Sequence, residues 1–171
     1  FPLFAWIVGD IVPEDFDFGP QVGVLTMKTK PFKIAPLICF EDTLPYLARQ
    51  FARKGAQVFV NVTNDAWFQR SAGSEQHRAN AVFRTIETRL PMIRTANTGV
   101  TCAIDAFGRE THRLQEENRN TFFEGFLLGK VQVPTEPKPT FYTLNGDLFA
   151  QACVLLSLLG MVRVFRRRGS K

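Results

Sequence analysis

The segment Ile34-Ala35-Pro36-Leu37-Ile38-Cys39-Phe40-Glu41-Asp42 constrains this chain more than any other. An apolar run ends there on a thiol, and polar, helix-starting residues follow at once. Such a run reads as a buried strand, and Thr43-Leu44-Pro45 reads as a helix start, with Thr43 as cap and proline in the first turn. Cys39 is therefore expected at a strand-to-helix turn at the end of a sheet strand. A backbone N–H and the helix dipole stand beside such a thiol and stabilise anionic charge, which is the setting of a nucleophile. A cysteine on an apolar run is otherwise a small core hydrophobe, so the rest of the chain has to decide between the two readings.

Downstream, strands and helices alternate, which predicts an α/β fold. Val22 to Met27 and Lys33 to Cys39 read as strands joined by a turn at Thr29-Lys30-Pro31. Leu44, Leu47, Ala48 and Phe51 recur at helical spacing up to Lys54, and Gly55 stops the helix. Gln57 to Val62 is a strand that ends in the polar, aromatic loop Thr63-Asn64-Asp65-Ala66-Trp67-Phe68. A second helix, capped by Ser74, runs to about Leu90, with Ala79, Val82, Phe83, Ile86 and Leu90 on its inner face and arginines on the other. Met92 to Thr95, Val100 to Asp105 and Phe122 to Val133 read as further strands, the last followed by a proline-rich stretch from Pro134 to Pro139. Residues 1 to 21 read as an ordered loop.

The chain has 171 residues, 45% of them hydrophobic, which suits one globular domain. Its formal charge of +5 is concentrated in Arg163, Arg166, Arg167, Arg168 and Lys171, and the rest is neutral overall. That distribution argues against a nucleic-acid partner and for a basic tail with its own purpose. The cysteines at 39, 102 and 153 have no metal-ligand spacing and an odd count, so no metal, no cofactor and no disulfide framework is expected.

Leu148 to Val162 is almost continuously apolar and is followed by the arginine cluster. Taken to Phe165 as a helix it would reach about 27 Å at ~1.5 Å per residue. Two readings compete, a buried terminal helix and a transmembrane helix over 148–165. Its apolar circumference and basic flank favour the second, with 141–147 as linker, 166–171 as a cytoplasmic basic tail and the domain on the opposite side of the membrane.

A thiol used for acyl transfer needs a base and oxyanion donors. The N–H groups of Phe40 and the residue after it are candidate donors. The base is harder to find. Glu41 can orient the nucleophile's surroundings or simply cap the helix start, His77 can be a base or a structural hydrogen-bonder, and His112 is expected to be exposed. Asn61, Asn64, Asp65 and Trp67 follow a strand end, where α/β loops face a cleft, although turn chemistry with a packed tryptophan explains them equally well.

Ile38-Cys39-Phe40-Glu41, Gly55-Ala56, Asn61-Val62-Thr63-Asn64-Asp65-Ala66-Trp67-Phe68, Gln76-His77, Arg94-Thr95-Ala96-Asn97-Thr98-Gly99-Val100-Thr101, Ile104-Asp105 and Gly108-Arg109 occur in one order. Together they resemble the carbon-nitrogen hydrolase (nitrilase) superfamily, and within it the apolipoprotein N-acyltransferase branch. The resemblance runs from residue 1 to about Gly146 and extends to the apolar, basic end. It implies that residues 1–140 are the C-terminal part of a nitrilase-like αββα sandwich. It implies an enzyme of the bacterial inner membrane, with its catalytic domain on the periplasmic side. That enzyme moves a fatty acyl group from a phospholipid, through a cysteine thioester, to the N-terminal amine of a diacylglyceryl lipoprotein.

On this resemblance Cys39 is the nucleophile, Glu41 supports the site, and Phe40, Asn64, Trp67 and Phe68 contact substrate. The family's glutamate base and oxyanion-binding lysine lie upstream of Phe1, so no residue here takes either role and the piece alone is expected to be inactive. Phe40 stands where tyrosine is frequent, Gln69 where glycine is usual, and Ser74-Glu75 where a proline commonly precedes Gln-His. Phe4, Trp6, Trp67 and Phe68 are expected to form a lipid-facing lip. The rival functions are an amidase of the same superfamily and a non-catalytic membrane-anchored module.

Overall fold

A computed structural model describes residues 21–30, 32–117 and 119–168. The expected loop at 1–20, with Phe4 and Trp6, and the last residues of the basic tail lie outside the described residues. Six strands form one sheet in sequence order: β1 (Leu25–Thr26), β2 (Lys33–Ile38), β3 (Val58–Asn64), β4 (Met92–Asn97), β5 (Cys102–Ile104) and β6 (Glu110–Arg113). The central β2-β3-β4 pairs are parallel, and the outer pairs are antiparallel. Parallel neighbours need crossovers, supplied by helix α1 (Pro45–Arg53) and helix α2 (Gly73–Thr88). The mixed α/β class read from the sequence is the class observed.

Register decides which side chains meet. Leu37 pairs with Asn61 and Asn61 with Arg94, so these three form a row on the helix-covered face. The core lies under that face, where Ala35, Leu37, Phe59 and Met92 meet Ala48 and Phe51 of α1, Ala81 of α2 and Leu90. The next row, Ile38, Val62 and Thr95, points the other way, and Ile38 and Val62 are more than half exposed. Only one helical layer and one sheet are present among the described residues, half of the expected αββα arrangement.

Helix α2 departs from its expected orientation. It buries Ser74, His77, Ala81, Arg84, Thr85 and Thr88, while Phe83 is exposed at 57%. The buried stripe keeps helical spacing but is mostly polar, because β4 and the turns that follow β2 and β3 present charged partners to it. Arg84, expected on the solvent face with the other arginines, is buried and donates to the Thr43 carbonyl and the Glu87 carboxylate. Ser74 is not the cap: the helix starts at Gly73 after Ala72.

Two expected strands change. Val22–Met27 contracts to the two residues of β1. Phe122–Val133 forms no strand, and the last strand is instead β6, whose sequence Glu-Thr-His-Arg hides it from an apolar pattern. The Asp105 carboxylate closes the β5-β6 turn by accepting from the N–H groups of Phe107 and Arg109, and Gly108 supplies the required φ of 81°.

The expected 141–147 linker contains a short helix, α3 (Phe141–Asn145), capped by Thr140. Arg49 of α1 donates to the carbonyls of Tyr142, Thr143 and Leu144, which docks α3 on the domain. Gln57 likewise ties the proline-rich stretch to the sheet by donating to the carbonyls of Pro134 and Thr135.

Helix α4 (Leu148–Arg168) follows, with its large apolar side chains exposed from Leu148 to Phe165. Among the described residues no helix is long and apolar enough to cross a membrane. This corrects the expected span over 148–165. The apolar run ends at Arg163, and from Leu148 to Val162 it reaches only about 22 Å, short of a hydrocarbon core of ~30 Å.

Candidate active site

Cys39 ends β2 and opens a 3₁₀ turn, Cys39–Thr43, with φ at 52°. Left-handed backbone in a non-glycine residue costs on the order of 1 kcal/mol, so its neighbours must hold it. They do so from both sides. The Ile38 N–H donates to the Glu41 carboxylate at 2.7 Å, while the Asn61 amide donates to the Cys39 carbonyl at 3.1 Å and reaches the Leu37 carbonyl at 3.4 Å. The Thr43 hydroxyl donates to the Phe40 carbonyl at 2.7 Å. The thiol belongs to a half-buried residue, whereas Cys102 is buried and burial pushes its thiol up to about 12.

Behind the turn lies a sealed cluster of charge. His77 of α2 has Nε2 at 2.7 Å from Asp42 Oδ1 and Nδ1 at 2.9 Å from Asp65 Oδ1. Arg94 of β4 reaches Asp65 Oδ2 at 3.1 Å, approaches Asp42 Oδ2 at 3.5 Å and donates to the Val100 carbonyl at 2.7 Å. All four side chains are at most 2% exposed. Burial opposes charge on His77, yet hydrogen bonds to Asp42 and Asp65 and the negative charge of Asp42 overcome both burial and Arg94, raising it to about 9. Burial also pushes the Asp65 carboxyl up, but His77 and Arg94 prevail and hold it below its ordinary value. Gly99 is required here, since a Cβ at that position would collide with the Asp65 carboxylate.

The aromatic residues form a layer over this cluster. Phe40 stacks on the His77 ring, with centroids 4.7 Å apart and planes 17° from parallel, and Phe68 meets both rings edge-on at 5.9 Å. Trp67 stands away from this packing at 85% exposure. Asn64 caps the second 3₁₀ turn, Asp65–Phe68, by accepting from the Ala66 N–H, and it also accepts from Asn97 at 3.3 Å.

Among the expected site residues, Phe40 and Phe68 thus come together beside Cys39's turn, while Trp67 projects outward. Glu41 is engaged at the Ile38 N–H, and both nitrogens of His77 face carboxylates, which leaves the imidazole no free lone pair with which to deprotonate a thiol. His112 is half-buried in β6, with Nδ1 at 3.1 Å from the Thr111 hydroxyl. Asp42 and Arg94 were absent from the sequence reading of the site. A signal existed for Arg94: it interrupts the apolar strand Met92-Ile93-Arg94 at an inward position, and a charge there requires a buried partner.

A profile described as carbon-nitrogen hydrolase matches residues 11–132, most of the chain. The chain belongs to the carbon-nitrogen hydrolase family. Among its carbon-nitrogen hydrolase relatives, the apolipoprotein N-acyltransferase of Geobacter metallireducens is 38% identical over 161 residues, covering 94% of this chain and 30% of that protein. The apolipoprotein N-acyltransferase of Thermotoga maritima is 34% identical over 171 residues, covering 100% of this chain and 32% of that protein. The chain therefore spans less than a third of these curated relatives. Among solved structures, the carbon-nitrogen hydrolase from Helicobacter pylori G27 shares the fold, with a TM-score of 0.51 at 15% identity over 58% of this chain and 41% of that one.

Proposed function

We propose that this chain is the nucleophile-bearing part of an apolipoprotein N-acyltransferase. The observation that carries the reading is the half-buried Cys39, held in left-handed backbone at a parallel strand end, in a chain 38% identical to an enzyme of that name. The thiolate of Cys39 attacks a fatty ester carbonyl of a phospholipid. The C–O bond breaks, and the lysophospholipid alkoxide leaves with a proton. The α-amino group of a diacylglyceryl lipoprotein then attacks the thioester carbonyl, the C–S bond breaks, and the thiol is restored as the amine gives up a proton.

The base and the oxyanion-binding cation come, on this reading, from the longer protein, in the roles that the resemblance gives to a glutamate and a lysine. Glu41 serves by fixing the turn, Phe40 and Phe68 form the wall beside the thiol, and Asn64 shapes the Trp67 loop that meets acyl chains. Helix α4, with its apolar side chains uncovered, brings the domain to the bacterial inner membrane, the catalytic part facing the periplasm. The 171-residue piece alone is inactive, since acyl transfer through a thiol needs a base and an oxyanion-binding cation beside it.

The deciding experiment incubates the full-length protein with phospholipid vesicles carrying labelled acyl chains, then adds a diacylglyceryl lipopeptide. A labelled thioester, absent in Cys39→Ala and discharged by the lipopeptide amine, is the expected result. The family membership itself favours one other reading, an amidase that releases acyl groups to water. Thioester discharge with or without lipopeptide at equal rate would establish that instead.

A further inference from the structure

Acyl transfer through Cys39 consumes none of the four charged side chains sealed beneath it. We propose that His77 is a positioning residue: an imidazolium fixed between Asp42 and Asp65, it completes a neutral buried cluster that sets the direction in which the Cys39 turn presents its thiol. The consequence for catalysis rests on the acyltransferase reading. The charge state and geometry of the cluster do not.

The ring contacts alone admit two descriptions. An imidazolium donates from Nε2 to Asp42 and from Nδ1 to Asp65, at 2.7 and 2.9 Å, but places its Nδ1 proton 2.9 Å from Arg94 Nη2, measured between nitrogens. A neutral ring protonated at Nε2 accepts from Arg94 instead, and turns a lone pair toward Asp65 Oδ1. Charge decides between them. With a neutral ring, two carboxylates face one guanidinium in a region at most 2% exposed, which leaves an uncompensated buried negative charge. With an imidazolium the cluster sums to zero, and Asp65 accepts a hydrogen bond from each cation, from His77 at Oδ1 and from Arg94 at Oδ2.

The groups that face the ring are Asp42 from the first 3₁₀ turn, Asp65 from the second and Arg94 from β4. The other charges on α2 are engaged among themselves and with β6: Glu75 with Arg78 and Arg113, Arg78 also with Glu110, and Arg84 with Glu87. On α1, Arg49 is taken by the α3 carbonyls. The elevation of His77 to about 9 agrees with the charge count.

The ring grips the turn at two points. Its face carries Phe40, the residue after Cys39, and its Nε2 holds Asp42, two residues further on in the same turn. Asn61 and Glu41 fix only the backbone on the strand side, at Leu37, Ile38 and Cys39. Without the ring Phe40 loses its stacking partner and Asp42 its 2.7 Å contact, which leaves the helix side to the Thr43–Phe40 and Arg84–Thr43 hydrogen bonds and the 3.5 Å approach of Arg94. A misplacement of ~1 Å in a nucleophile costs about 100-fold in rate.

The test uses the full-length protein, with His77→Gln, Asp65→Asn and their combination. Two rates are read at neutral pH: acyl-thioester formation from phosphatidylethanolamine–phosphatidylglycerol vesicles, and alkylation of Cys39 by iodoacetamide. His77→Gln is expected to slow thioester formation about 100-fold and to slow alkylation too. Adding Asp65→Asn, which restores neutrality, is expected to recover about tenfold of the thioester rate and to move alkylation in the same direction. A single variant as fast as wild type in both assays, or a double variant slower than the single, overturns the proposal.

If wild type takes no acyl group while alkylation still follows this pattern, the acyltransferase reading fails and the clamp stands. Should the variants not fold, ¹⁵N spectra of histidine-labelled wild type decide. A ring with both nitrogens protonated at neutral pH, losing its proton only near pH 9, supports the clamp, and the absence of any such ring overturns it.

Discussion

Cys39 occupies backbone that glycine adopts freely and other residues resist, and its hold is built from Asn61, Glu41 and the residues after it. Removing the thiol and removing the strain are separable operations. Cys39→Ala keeps the left-handed penalty and Cys39→Gly releases it, so the glycine variant is expected to be the more stable of the two by about 1 kcal/mol in urea unfolding. Equal midpoints would show that the elbow is relaxed. His77 adds a pH signature. Its folded value, about 9, lies above the ordinary 6.5, so its stabilisation is complete below about 6.5 and is lost as pH rises through 9. The difference corresponds to about 3 kcal/mol. Asp65, held low, contributes above the ordinary carboxylate range and loses its contribution as pH falls through its depressed value. Thermal unfolding of wild type is expected to show a midpoint that falls between about pH 6.5 and 9, with that decline missing in His77→Gln.

Helix α2 shows where reading the sequence succeeds and where it stops. Its existence was legible from apolar residues at helical spacing, and its C-terminal neighbour Leu90 was rightly placed in the core. Its orientation was not, because apolar periodicity assumes that the buried face is the greasy one. Here Asp42, Asp65 and Arg94 come from three other elements, and only their convergence makes polar residues the inner stripe. The strand-to-helix turn at Cys39 was legible for the opposite reason, since the apolar run, the thiol and the Thr43-Leu44-Pro45 helix start that mark it are contiguous in the sequence. Strand β6 was hidden by its polar sequence and is held by pairing to β5. The orientation of α2 predicts an asymmetry: Phe83→Gln should change stability by less than about 0.5 kcal/mol, whereas Ala81→Leu, on the buried side, should cost about 1–3 kcal/mol. Denaturation midpoints of the two variants check it, and comparable losses would mean that Phe83 is covered.

At the scale of the molecule, the sheet carries helices on one side only among the described residues. Parallel strands are normally buried on both faces, yet Ile38, Val62 and Ile93 point outward and are exposed. Val62→Lys with Ile93→Lys is therefore expected to reduce self-association of the isolated 171-residue chain, measured by sedimentation. In the longer protein the same pair should lower the unfolding midpoint, because a covering layer would have to bury two charges. The uncovered face also limits how such proteins can be recombined. Exchanging this stretch between two relatives transplants the thiol, its elbow and the whole buried charge cluster intact, since Cys39, Asp42, Asp65, His77 and Arg94 all lie within it. What the exchange breaks is the fit of the outward row to whatever lies against it, so a chimaera would keep its chemistry and fail at its seam.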